Sequence, residues 1–81
     1  MPRPPFASSR WRRRASHAFP HINGRVWFDP DNGYEYEYEP DPTPAKSTWH
    51  EINPRTKQYR EIDGQTGLPV AGAEGQWRPL R

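Results

Sequence analysis

Three five-residue segments of one chemical kind limit what this chain can fold into: Asp29-Pro30-Asp31-Asn32-Gly33, Asn53-Pro54-Arg55-Thr56-Lys57 and Asp63-Gly64-Gln65-Thr66-Gly67. Each opens with Asp or Asn, whose side chain can bond the amides of its own turn. Pro presets φ at the second position in two of them, and Gly supplies a positive φ at the fifth position in two. Short strand-like runs flank each segment. The pattern predicts hairpins with type I turns and a bulge at the fifth residue, joining strands over 24–28, 34–39, 47–52, 58–62 and 68–70. Lys57 stands where the other two turns have Gly, which makes the middle turn the most strained. The run Pro-Asp-Pro-Thr-Pro at 40–44 cannot join a central strand and reads as a stiff connection of polyproline type.

Upstream of the hairpins, Ser8 or Ser9 fits the cap of a short helix running to Phe19. Trp11, Ala15, Ala18 and Phe19 fall at i, i+4, i+7 and i+8, one helical face, and Pro20 ends it. So short a helix needs a sheet to pack against; the same residues also fit a disordered Arg-rich tail. The expected class is therefore α+β: a short N-terminal helix plus a small antiparallel β-meander of about five strands, with flexible ends. Residues 1–23 form the basic arm or helix, 24–70 the hairpin domain, and 71–81 an irregular C-terminal tail with Trp77 as its anchor.

Composition sets the energetic frame. Leu, Ile, Val and Phe number 10 of 81 residues, a level usual in disordered chains. Aromatic residues reach 14%, and they supply the apolar surface that the aliphatics lack. Without cysteine, a disulfide framework, a thiolate zinc site and a Cys nucleophile are excluded. No apolar run approaches the length of a membrane span, and no apolar segment of signal-peptide type follows the basic start. Gly-rich phosphate loops and the HExxH helix are absent. The expected location is the cytoplasm, or a target cytoplasm to which the protein is delivered, with no signal peptide and no membrane contact.

Charge is spread unevenly. Residues 1–25 hold six Arg and no acid (+6), residues 26–51 hold seven acids and one Lys (−6), and residues 52–81 hold five bases and three acids (+2), which together give the net +2. The sharpest basic feature is Arg10-Trp11-Arg12-Arg13-Arg14. Guanidinium groups beside an aromatic suit phosphate contacts with base stacking. They also suit a solvated arm that neutralises an acidic surface on this protein or a partner.

Pairing around the first turn sets Phe28 opposite Tyr34 and Val26 opposite Tyr36. Phe28, Val26, Tyr34, Tyr36 and Tyr38 then share one face, and Arg25, Glu35, Glu37 and Glu39 the other, solvated one. Around the second turn Ile52 falls opposite Gln58 and His50 opposite Arg60. Across the third, Ile62 meets Leu68 and Arg60 meets Val70. His50 and Arg60 thus lie on the apolar face with Ile52, Ile62, Leu68 and Val70, while Trp49, Glu51, Tyr59 and Glu61 occupy the opposite one. A His and an Arg that break an apolar face mark a candidate site. Imidazole moves a proton near neutral pH and guanidinium holds a phosphate oxygen. Together they suit cleavage of a phosphodiester by its ribose 2′-hydroxyl. Paired without a substrate, they are a half-exposed packing contact. His17 and His21 flank the helix end as a second acid or base; the three His residues do not have metal-ligand spacing, and no metal is expected.

Two resemblances bear on the same residues. Trp49-His50-Glu51-Ile52 followed by Tyr59-Arg60-Glu61-Ile62 resembles the sheet of guanyl-specific microbial ribonucleases, which would make Glu51 the base and Arg60 the phosphate ligand; residues 71–81 contain no His to match that family's last catalytic strand. Trp49, Tyr59-Arg60 and Asp63-Gly64-Gln65 also resemble the cytotoxic domain of ribosome-cleaving colicins, with His50, Asn53 and Lys57 at its catalytic positions. Both, like the Asp-Pro-x-Thr-Gly hairpins of bacterial polymorphic toxins, imply a small RNA-directed toxin domain. The expected function is RNA engagement, extending to cofactor-free, metal-independent ribonuclease action. His50, Arg60 and Glu51 would be catalytic; Arg10, Trp11, Arg12, Arg13, Arg14, Trp49 and Tyr59 would bind nucleic acid. The alternative is a non-enzymatic phage or bacterial interaction module, with an immunity or assembly protein at the Tyr34–Glu39 hairpin.

Overall fold

The computed structural model describes residues 3–18, 25–43, 45 and 47–80. Six strands follow one another in chain order and in space: β1 (Arg12–Arg14), β2 (Val26–Phe28), β3 (Glu35–Glu39), β4 (Thr48–Asn53), β5 (Gln58–Ile62) and β6 (Arg78–Pro79). Every neighbouring pair is antiparallel, so the sheet is an uninterrupted meander. One turn of 3-10 helix, Ala73–Gly75, precedes β6.

The fold is therefore not α+β. Among the described residues there is no α-helix, and the segment expected to start one forms β1 instead. The helical stripe was real as a pattern, but two tertiary gains outweigh it. Arg12, Arg13 and Arg14 pair with Phe28, Trp27 and Val26, and Arg14 reaches a buried carboxylate on β3. A helix this short gains little on its own in water, so the ladder and the ion pair decide. Trp11 and Ala18, two members of the stripe, are buried all the same; Phe19, Pro20 and His21 lie outside the described residues. At the other end, the strand expected over 68–70 is reduced to one bridge, Ile62 to Pro69, and the place beside β5 goes to Arg78–Pro79 from the expected tail.

All three turns carry the expected side-chain bonds. The Asp29, Asn53 and Asp63 carboxyl or amide oxygens accept from the backbone N–H two residues on, at 2.9, 2.9 and 2.7 Å. The fifth residues adopt positive φ: Gly33 80°, Lys57 56° and Gly67 75°. The registers nevertheless differ from expectation by one residue. The opening Asp29 stays in the ladder: its N–H donates to the Tyr34 carbonyl at 3.0 Å and its carbonyl accepts from Gly33 N–H at 2.8 Å. Asp63 repeats this with Leu68 and Gly67, both at 2.8 Å. Each loop is thus four residues rather than five. A slip of one exchanges the faces of every later side chain. Phe28 meets Glu35, not Tyr34; Trp27 meets Tyr36; Ile52 meets Tyr59; His50 meets Glu61; Glu51 meets Arg60.

The two faces that result are covered differently. On one, Trp11, Tyr36, Trp49 and Ile62 form a cluster joined by Phe6, Ala7, Trp27, Tyr34 and Tyr38. The Trp11 and Tyr36 rings stack at 4.3 Å and 15°, and Phe6 meets both edge-on. The other face buries Val26, Ile52 and Glu35. Aromatic rings, not aliphatics, carry the first cluster, as the composition requires.

The turns yield a stability test. Lys57 holds a left-handed conformation that costs a side-chain-bearing residue strain, so Lys57→Gly should raise stability by about 0.5–1 kcal/mol in urea unfolding at unchanged slope. Gly67 has the same φ, and a Cβ there would lie 2.7 Å from the Phe6 ring. Gly67→Ala should therefore destabilise by more than about 1 kcal/mol.

Candidate nucleic-acid interface and its buried carboxylates

Register places two glutamates inside the protein, one on each face. Glu35 on β3 has no exposed surface. Its Oε1 accepts from the Ser16 hydroxyl at 2.6 Å; its Oε2 accepts from the His17 N–H at 2.7 Å and from Arg14 Nη2 at 2.9 Å. Burial alone pushes this carboxyl up, but the bonds from Ser16, His17 and Arg14 outweigh it and hold its pKa below the usual value. The Arg14 guanidinium also lies 3.7 Å from the Phe28 ring centre. Glu35 was expected on a solvated face, and Arg14 on a phosphate; the structure joins them to each other.

Glu51 on β4 is the second buried acid. Its Oε1 accepts from Arg60 Nε at 2.7 Å, and its Oε2 accepts from the Tyr36 hydroxyl at 2.6 Å. The Tyr36 oxygen in turn accepts from Asn32 Nδ2 at 2.9 Å. Burial and the bond to Glu51 raise the Tyr36 pKa, so the phenol remains a donor. The Arg60 guanidinium stacks 4.4 Å from the Trp77 ring, which meets Tyr34 edge-on at 5.5 Å. The pair implied by the ribonuclease resemblance, Glu51 and Arg60, is therefore brought together. Both carboxylate oxygens already hold donors and the guanidinium rests on Trp77, an arrangement that ties β3, β4 and β5 together.

His50 and Arg60 are not brought together. His50 sits on the opposite face, directly across from Glu37 and Glu61, with Nε2 3.9 Å from Glu61 Oε1 and its ring edge-on to Tyr59. Burial lowers its pKa, against the pull of Glu39 and Glu61 and with the push of Arg78. Arg78 approaches the same Glu61 oxygen, at 3.7 Å, and lies over the Tyr59 ring at 4.8 Å. Among the described residues no group of His, Asp and Glu is arranged to hold a metal ion.

The expected nucleic-acid residues separate into two groups. Trp11 and Trp49 are each 6% exposed and belong to the core; Tyr59 is half-buried under Arg78. Arg10, Arg12 and Arg13 are exposed, Arg10 lying 3.5 Å from Asp31. Arg12 and Arg13 sit on β1, the terminal strand, so they border the rim of the sheet. Beside them is an aromatic that sequence reasoning passed over. Trp27, half-buried on β2 opposite Arg13, has the Arg13 guanidinium 5.1 Å and the Arg3 guanidinium 5.4 Å from its ring centre. The correct register of the β1–β2 pair is the only signal that finds it, and the helical reading of β1 hid that register. Among the described residues no helix is long and apolar enough to cross a membrane, which says nothing of spans made by strands.

Glu35 gives a pH test. A carboxyl whose pKa is lower folded than unfolded stabilises the fold above its unfolded value and loses that contribution as pH falls through the folded value. Glutamate starts from 4.5, so stability should hold from neutral pH to about 5 and decline below it. Urea unfolding of Glu35→Gln should show a loss of about 3 kcal/mol at pH 7 and a shallower acid decline.

No family model, no curated protein and no solved structure matches this chain, so its functional reading stands on the geometry of the rim and of the two buried acids.

Proposed function

We propose that this protein is a non-catalytic binding module for single-stranded RNA, with the β1 rim as its contact surface. The carrying observation is the Arg3–Trp27–Arg13 arrangement beside exposed Arg12 and Arg10. Guanidiniums along a strand track a phosphate backbone, and the half-buried Trp27 indole holds two of them, Arg3 and Arg13, at the rim by cation–π contact. A sheet rim with no recognition helix among the described residues suits an unstacked strand better than a duplex groove. Arg14 contributes no phosphate contact, because its charge is spent on Glu35. Cleavage is set aside for two reasons. His50 and Arg60 occupy opposite faces, and each oxygen of buried Glu51 already accepts a bond, from Tyr36 or from Arg60.

Fluorescence anisotropy of a labelled single-stranded RNA against salt tests this reading. The slope of log affinity on log salt should fall by about 0.7 for each phosphate contact removed, so changing both Arg12 and Arg13 to Ala should cut it by about 1.4. Arg55→Ala, an exposed cation on the β4–β5 turn, should leave it unchanged. The RNA should stay intact with chelator present. Cleavage abolished by Glu51→Gln, or a slope indifferent to Arg12 and Arg13, would overturn the proposal.

A further inference from the structure

A groove of about 480 Å³ lies over β3, β4 and the turn after β5, lined among others by Arg3, Tyr38, Thr48, Trp49, Asp63 and Gln65. Its size is in the range of small-ligand sites. Trp49 is nearly buried and Tyr38 half-buried, their ring centres 5.2 Å apart at a 51° tilt. Gly64 lets the turn backbone pack directly against Trp49: a Cβ there would lie 2.8 Å from the indole Cδ1. The wall that carries Asp63 and Gln65 is rigid. Asp63 Oδ1 accepts from the Gln65 and Thr66 N–H groups at 2.7 and 3.1 Å. That leaves Asp63 Oδ2 as an acceptor and the Gln65 side-chain amide as a donor. Arg3 joins the groove to the rim, since its guanidinium also lies over Trp27.

From this we infer that the groove is a nucleotide subsite that takes a base bearing an exocyclic amino group, cytosine or adenine, stacked on Tyr38. The inference rests on the single-strand reading of the rim and adds base selection to it. The amino group donates to Asp63, and the neighbouring ring nitrogen accepts from the Gln65 amide. Arg3 meets the 5′-phosphate at the mouth. Uracil presents a carbonyl oxygen where Asp63 needs a donor, so it is disfavoured.

The full chain, labelled with ¹⁵N, is titrated with CMP and with UMP, and labelled oligo(C) and oligo(U) are compared by anisotropy. CMP should shift the Thr48, Gly64 and Gln65 amides and bind about tenfold tighter than UMP, the difference of one hydrogen bond to a charged group. Asp63→Asn should reverse that preference by turning the acceptor into a donor. It should also keep the fold, because Asn53 makes the same pair of turn bonds at 2.9 and 3.3 Å. Equal shifts from CMP and UMP overturn the inference, as does a preference that survives Asp63→Asn. A proline-rich peptide that moves these amides while CMP does not would overturn it too. Oligo(C) and oligo(U) binding alike through Arg12 and Arg13, with the groove amides still, removes the subsite and leaves the rim. CMP shifting the groove while neither oligonucleotide responds to Arg12 and Arg13 removes the rim and leaves the subsite.

Discussion

One carboxylate organises the N-terminal half of this protein. Glu35 is fully buried, and it draws three donors from one stretch of chain, residues 14–17: the Arg14 guanidinium, the Ser16 hydroxyl and the His17 backbone amide. Burying a charge is unfavourable unless it is paired and its lone pairs are filled. Here both conditions are met only if β1 lies in the sheet and the chain after it doubles back over β3. The acid thus selects a strand over a helix for the Arg-rich segment. Glu51 plays the matching part on the other face, tying β3, β4 and β5 through Tyr36 and Arg60. With few aliphatic residues to build a core, the protein uses rings for bulk and two buried acids for specificity.

The turns were legible in the sequence because they are local. Asp or Asn at the first position and a left-handed fifth residue are written in adjacent residues, and even the strain at Lys57 was readable there. The order of the middle strands β2 to β5 followed, whereas β1 was expected as a helix and β6 as an irregular tail. The faces were not legible, for a physical reason of one residue. Asp29 and Asp63 remain in their ladders, which shortens each loop by one and turns over everything beyond it. Asn53 likewise stays paired, with Gln58, and that slip separated His50 from Arg60 and united Glu51 with Arg60. The N-terminal helix failed differently: a helical stripe of Trp11, Ala15 and Ala18 cannot reveal that a buried glutamate awaits Arg14. Trp27 was missed for the same reason, because its value depends on which strand lies beside it.

Charge pairing inside the protein also shapes its outside. Of the five consecutive residues from Arg10 to Arg14, one arginine is withdrawn to Glu35, the tryptophan is withdrawn to the core, and the remaining arginines are left on the surface. What looked like a uniform basic arm is a sorted one, with a structural half and a solvent-facing half. The neighbouring Trp27, packed against the core, holds the Arg3 and Arg13 guanidiniums over its ring, which is how a rigid rim differs from a flexible tail of the same composition.

The packing of Phe6 against Gly67 has a consequence for how the molecule is made. The segment around Phe6 is covered by a turn that leaves the ribosome much later than it does. Until residue 67 emerges, Phe6 and Trp11 have only part of their final surroundings, and their rings remain open to unwanted partners. Completion of this face is therefore a late event, governed by contacts far apart along the chain, and such contacts close slowly.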